Sequence, residues 1–155
     1  MLHLSMEEYI RSIDNISNGE LGMFLGAGAS IQSGVPSAGD MIWEFKRKLY
    51  CMNNNIWEEY YKDLQSESTR YELLAYFDGL IGFPLRGESK EYSFYFEKCY
   101  PTIESRREYI YKKTSDKKPN IGYLCLGSLI NQNVIDTVLS NPLLSIAVIN
   151  MVCLP

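Results

Sequence analysis

The chain has 155 residues, 46% of them hydrophobic and 22% charged, which suits one globular domain with its own core and excludes intrinsic disorder. Fifteen Lys and Arg against nineteen Asp and Glu leave a net charge of −4, the wrong sign for a protein that grips the phosphate backbone of a nucleic acid. The longest apolar stretch, residues 143–154, is broken by Ser145 and Asn150 and is too short for a bilayer. The opening residues lack the basic head and apolar run of an export signal. The expectation is a cytoplasmic protein with no membrane and no nucleic-acid partner. Cys51, Cys99, Cys125 and Cys153 contain no Cys-x-x-Cys pair, so no metal is expected and the cysteines read as reduced core thiols. The single histidine, His3, reads as a surface residue, which leaves no histidine base for a pocket.

In chain order, Ser5 and Glu8 form a capping box ahead of Ile10, Ile13 and Ile16 at helical spacing, with Asn18-Gly19 as a stop. Residues 21–25, apolar without alternation and bounded by glycines, predict a buried strand of a parallel sheet. A loop of small residues follows, from Gly26-Ala27-Gly28-Ala29-Ser30 to Ser33-Gly34-Val35-Pro36. Ser37 and Asp40 then cap a helix that carries Met41, Ile42, Phe45 and Leu49 on one face. A tyrosine-rich helical section spans about 52–118. Within it Trp57, Tyr60, Tyr61 and Leu64 stand at helical spacing, and Thr69 and Glu72 offer a capping box before Leu73, Leu74, Tyr76, Phe77 and Leu80. Gly79, Gly82, Pro84 and Gly87 break the chain, and helices are expected over 89–99 and 103–113. Lys112, Lys113, Lys117 and Lys118 read as a solvated helix end. Pro119 is expected in the first turn of the next helix, a turn at 131–133, and a second β-branched strand over 134–139.

Strand, glycine loop and helix together make a phosphate cradle: glycines let the backbone turn tightly and approach a ligand, and free amides point at the anion. The same turn also serves as a plain strand-to-helix junction. Ile31 stands where the dinucleotide fingerprint Gly-x-Gly-x-x-Gly needs its third glycine, and no Gly-Lys-Ser/Thr follows. An ordinary dehydrogenase and a P-loop nucleotidase are both disfavoured. A methyltransferase-like site fits poorly, because Asp136 lies inside the second predicted strand rather than at its end.

The longer string Phe24-Leu25-Gly26-Ala27-Gly28-Ala29-Ser30, then Ser33-Gly34-Val35-Pro36, resembles the first NAD-binding loop of the sirtuin family. Protein deacetylases of that family continue with Asp-Phe-Arg, where this chain has Ser37-Ala38-Gly39-Asp40, so deacetylation is the less favoured activity. The chain is more similar to the divergent sirtuin-like branch of bacterial anti-phage systems. Residues 118–124, the Leu126-Gly127 step and residues 95–101 look like that branch too. The resemblance runs over about 15–140 and implies an α/β fold, a Rossmann-like parallel sheet with an inserted helical section.

It also implies NAD as substrate or ligand, with cleavage of the nicotinamide–ribose bond. The amides around Ala27, Gly28, Ala29 and Ser30, with Gly26, would hold the pyrophosphate, and Ser33, Gly34, Val35 and Pro36 would line the nicotinamide-ribose side. The family's catalytic asparagine matches Asn141 only across a gap, and its histidine has no counterpart here. The chain therefore reads as a single domain over 1–155 with an atypical tail at 141–155: the N-terminal portion of a sirtuin-like domain, incomplete alone. Its partners are a homo-oligomer mate, a further domain or a partner chain. The alternative is a non-catalytic nucleotide-sensing or oligomerisation module with the same cradle.

Overall fold

The computed structural model describes residues 5–14 and 21–140. The chain divides into two compact units, one built from Met1–Gly34 with Lys117–Pro155 and the other from Val35–Asp116.

The first unit carries the sheet. Helix α1 (Met6–Asp14) opens on the expected box: the Ser5 amide donates to Glu8 Oε2 at 2.8 Å and the Glu8 amide to Ser5 Oγ at 3.2 Å. Strand β1 (Gly22–Leu25) pairs in parallel with β2 (Thr137–Ser140), Gly22 opposite Thr137 and Leu25 opposite Ser140. Parallel neighbours need a crossover, and its last element, α6 (Ile121–Asn131), supplies Tyr123 and Leu126 to a core completed by Ile135. Met23, Leu25 and Val138 pack against that core. Consequently β1 alternates: Gly22 and Phe24 are exposed, Phe24 at 79%, whereas Met23 and Leu25 are half-buried. The strand expected to be buried throughout is buried on one side.

The second unit is helical. Helix α2 (Ala38–Asn54) begins at the predicted Ser37–Asp40 capping box, the Asp40 amide donating to Ser37 Oγ at 3.1 Å. It ends at Asn55, whose φ of 55° is left-handed. Helices α3 (Glu67–Asp78), α4 (Glu91–Cys99) and α5 (Ile103–Thr114) follow. The tyrosine-rich composition becomes an aromatic core. Phe45 stacks on Phe96 with centroids 5.2 Å apart and meets Tyr92, Tyr100 and Tyr109 by their edges or at a tilt. Phe77 meets Tyr95 edge-on at 5.2 Å. Each such pair contributes about 0.5–1.5 kcal/mol beyond the apolar area it buries. Burial pushes the Tyr92 phenol up to about 12 and raises those of Tyr95 and Tyr109 further, so all stay neutral.

Several local expectations give way. The stretch from Trp57 to Leu64 forms only a short 3-10 turn, Glu58–Tyr61, and Trp57 and Tyr60 are exposed. Thr69 lies inside α3, which starts earlier, after Ser66; Glu72 is drawn instead to two phenols, accepting from Tyr50 at 2.8 Å and Tyr61 at 2.7 Å. Lys113 is not a merely solvated helix end, because its ammonium sits 2.7 Å from the Glu44 carboxylate of α2. Pro119 precedes the N-cap Asn120 of α6 rather than entering its first turn. Cys51 and Cys99 are buried thiols, but Cys125 is exposed, on the face of α6 turned from its core. His3, Ile16, Asn18-Gly19, Asn141 and the tail at 141–155 lie outside the described residues. Among the described residues no helix is long and apolar enough to cross a membrane.

Candidate functional site

Strand β1 runs into Gly26, which caps a 3-10 helix, Ala27–Ser33. The Gly26 carbonyl accepts from the Ala29 amide at 3.1 Å. The i→i−3 ladder thus engages amides from Ala29 onward and leaves those of Ala27 and Gly28 outside it. The turn closes at Gly34, whose φ of +81° is left-handed and whose amide donates to the Ile31 carbonyl at 2.9 Å.

Gly26 and Gly28 are both exposed. Among the described residues, a Cβ at Gly26 would meet nothing within 4 Å, and one at Gly28 only Ile31 Cδ1 at 4.0 Å. Gly26 has an ordinary φ of −76°, and Gly28 is not in the left-handed region either. Neither packing among the described residues nor backbone geometry requires glycine at these positions.

Gly28, Ala29 and Gln32 form one wall of a cleft of about 430 Å³ whose other walls are Met23 and Leu25 of β1 and Asn120, Gly122, Tyr123 and Leu126 of α6. The lining is mostly apolar with a few polar groups. The turn and α6 are joined by side-chain bonds that span most of the chain. Asn120 Nδ2 donates to the Ala29 carbonyl at 2.9 Å, and the Asn120 amide donates to Ser33 Oγ at 3.1 Å. The hydroxyls of Ser30 and Tyr123 share a hydrogen bond of 2.7 Å, with both residues buried. Asn120 Oδ1 meanwhile accepts from the Tyr123 amide at 3.2 Å and caps α6.

Of the residues expected to contact a cofactor, Gly28 and Ala29 line this cleft and Gly26 opens the turn. The hydroxyls of Ser30 and Ser33 are engaged with Tyr123 and Asn120. Gly34 ends the turn, packed near the Lys117 side chain, while Val35 and Pro36 belong to the helical unit. Sequence reasoning assigned no role to Gln32, Asn120, Gly122 or Tyr123. The available signal was Asn120 beside Pro119, a residue pair that marks a helix start. Among the described residues no group of three or more His, Cys, Asp or Glu side chains is placed to hold a metal ion. No protein-family model matches the chain, and no curated protein matches it significantly.

Proposed function

We propose that this chain is a sirtuin-like NAD-binding module, with the dinucleotide held at the turn that follows β1. The observation that carries this reading is Gly28, which lines the cleft of about 430 Å³ and, like Gly26 at the start of the turn, has open space before it among the described residues. A backbone without side chains lets a pyrophosphate approach the main chain closely, and the Ala27 and Gly28 amides outside the 3-10 ladder are its natural donors. Met23, Leu25 and Leu126 offer an apolar wall for a flat ring, and Gln32 stands beside it as a carboxamide. The residues present therefore fit the dinucleotide in kind.

The resemblance to bacterial anti-phage proteins makes NAD consumption the proposed context, in a cytoplasmic protein that works with a second copy, a further domain or a partner. NAD supplies its own leaving group, nicotinamide. The part this reading gives to the described residues is binding and orientation at the turn. Placing the attacking water and supporting the sugar as positive charge develops require a polar group at the ribose, and our reading assigns that step to groups beyond the turn. If the same cradle senses the nucleotide without cleaving it, binding persists with no nicotinamide released.

The test is a titration of the purified chain with NAD, followed by backbone amide shifts in NMR. The reading expects saturable shifts concentrated at residues 23–32 and 120–126. Shifts confined to the helical unit, or none at all, would contradict it.

A further inference from the structure

We infer that Asn120 and Tyr123, on the first turn of α6, are positioning residues that hold the glycine turn in its binding shape. The inference rests on the NAD-binding reading above, and adds how the cradle is kept open. A short 3-10 segment is a weak element by itself, because its hydrogen bonds are poorly aligned and few. Ala27–Ser33 is nevertheless held at three successive places by one helix start. The Ala29 carbonyl accepts from Asn120 Nδ2, the Ser30 hydroxyl meets that of Tyr123, and Ser33 Oγ accepts from the Asn120 amide.

The orientation of the Asn120 carboxamide is fixed from both ends. Its nitrogen faces a carbonyl, which only accepts, and its oxygen faces the Tyr123 amide, which only donates. One side chain therefore caps α6 and fastens the turn at the same time. Gly122 leaves room for it: a Cβ there would stand 3.0 Å from Asn120 Oδ1, tighter than a comfortable contact. The Ser30–Tyr123 bond is the second anchor. Ser30 is only 4% exposed and is not one of the described residues lining the cleft, so its side chain affects a ligand through the shape of the turn. Preorganised amides bind an anion without the cost of first ordering the loop, and the clamp supplies that order.

Two variants separate this role from general stability. Asn120→Ser keeps a residue that caps helices as well as Asn does, carries no charge, and is too short to reach the Ala29 carbonyl. The double variant Ser30→Ala/Tyr123→Phe removes both hydroxyls together, so neither is left buried without a partner. Each variant and the unmodified chain would be titrated with NAD by calorimetry. Amide hydrogen exchange at residues 27–33 and 121–131 would be measured without ligand.

The inference expects NAD binding weakened about tenfold or more in each variant, and exchange at 27–33 faster by a similar factor. Exchange in α6 should stay close to that of the unmodified chain. If the unmodified chain binds NAD and the variants bind it equally well, the positioning role is overturned while the binding reading stands. If both variants lose protection throughout α6 along with the turn, the bonds are simply structural and the inference is again overturned. If the unmodified chain does not bind NAD, the functional reading falls. The exchange data then decide the clamp: faster exchange confined to 27–33 upholds it, and unchanged exchange overturns it.

Discussion

Lys46 of α2 and Glu91 of α4 form a buried ion pair, with Nζ 2.7 Å from Oε1 and side chains 1% and 6% exposed. The second carboxylate oxygen accepts from the Gly87 amide at 2.7 Å, and the ammonium faces the rings of Tyr95 at 4.9 Å and Trp43 at 5.3 Å. Both charges are thus satisfied within the helical unit, where either one alone would be costly. Lys46→Met should destabilise the protein by about 3–5 kcal/mol, because it leaves Glu91 charged and without its counter-ion. The double variant Lys46→Met/Glu91→Gln should recover a large part of that loss. Urea unfolding of the three proteins is the measurement; equal losses in the single and double variants would contradict a charge-based account.

The Glu72 carboxylate lies between two phenols, and the bonds it accepts, first from Tyr61 and then from Tyr50, hold its pKa below the ordinary 4.5. A depressed carboxylate contributes stability above its unfolded pKa and loses it as pH falls through the folded one. Glu72→Gln should therefore lower the melting temperature at pH 7. The gap between variant and unmodified protein should narrow steadily as pH drops below about 4.5. The site is exposed, so the effect is small and is read as a difference between two pH series. A gap that does not change with pH would count against the ionised bridge.

Cysteine reactivity should follow burial. Burial pushes the Cys99 thiol up to about 12 and raises that of Cys51 as well, and both lie in the helical unit's interior. Thiolate is the reactive form, so a maleimide pulse on the native protein, mapped by peptide mass spectrometry, should label Cys125 and spare Cys51 and Cys99. Denaturant should make Cys51 and Cys99 react as well. Rapid native labelling of Cys99 would show that the aromatic core opens far more easily than its packing implies.

Much of the local architecture was legible where the signal itself was local. Ser5 with Glu8 and Ser37 with Asp40 are reciprocal side-chain bonds three residues apart, and both appear as read. A strand before the glycine turn, and a second one read at 134–139 and found at Thr137–Ser140, were legible from local apolar runs, whereas their pairing joins residues 115 apart. Three readings failed where a partner outside the local pattern intervened. Thr69–Glu72 has the pattern of a capping box, but Glu72 is claimed by Tyr50 and Tyr61, and α3 starts at Glu67. Trp57 to Leu64 has helical spacing, yet the Leu64 carbonyl is taken by Arg70 Nε at 2.6 Å and Tyr61 by Glu72. Phe24 sits in an apolar run that reads as fully buried, but α6 packs against Met23 and Leu25 while Phe24 stays exposed. The site was half legible. The glycines announced the turn, whereas its fastening to Asn120 and Tyr123 joins residues 87 to 93 apart, which no pattern of neighbours encodes.

The glycine cradle is the central claim, and Gly28→Val tests it most directly. Among the described residues a Cβ at Gly28 would meet only Ile31 Cδ1, at 4.0 Å, so the variant should fold with nearly unchanged thermal stability while filling the space a ligand would take. NAD titration of the unmodified chain and the variant, with released nicotinamide measured chromatographically on the same samples, should show saturable binding in the first and its loss in the second. Equal affinity in the two proteins would contradict the account.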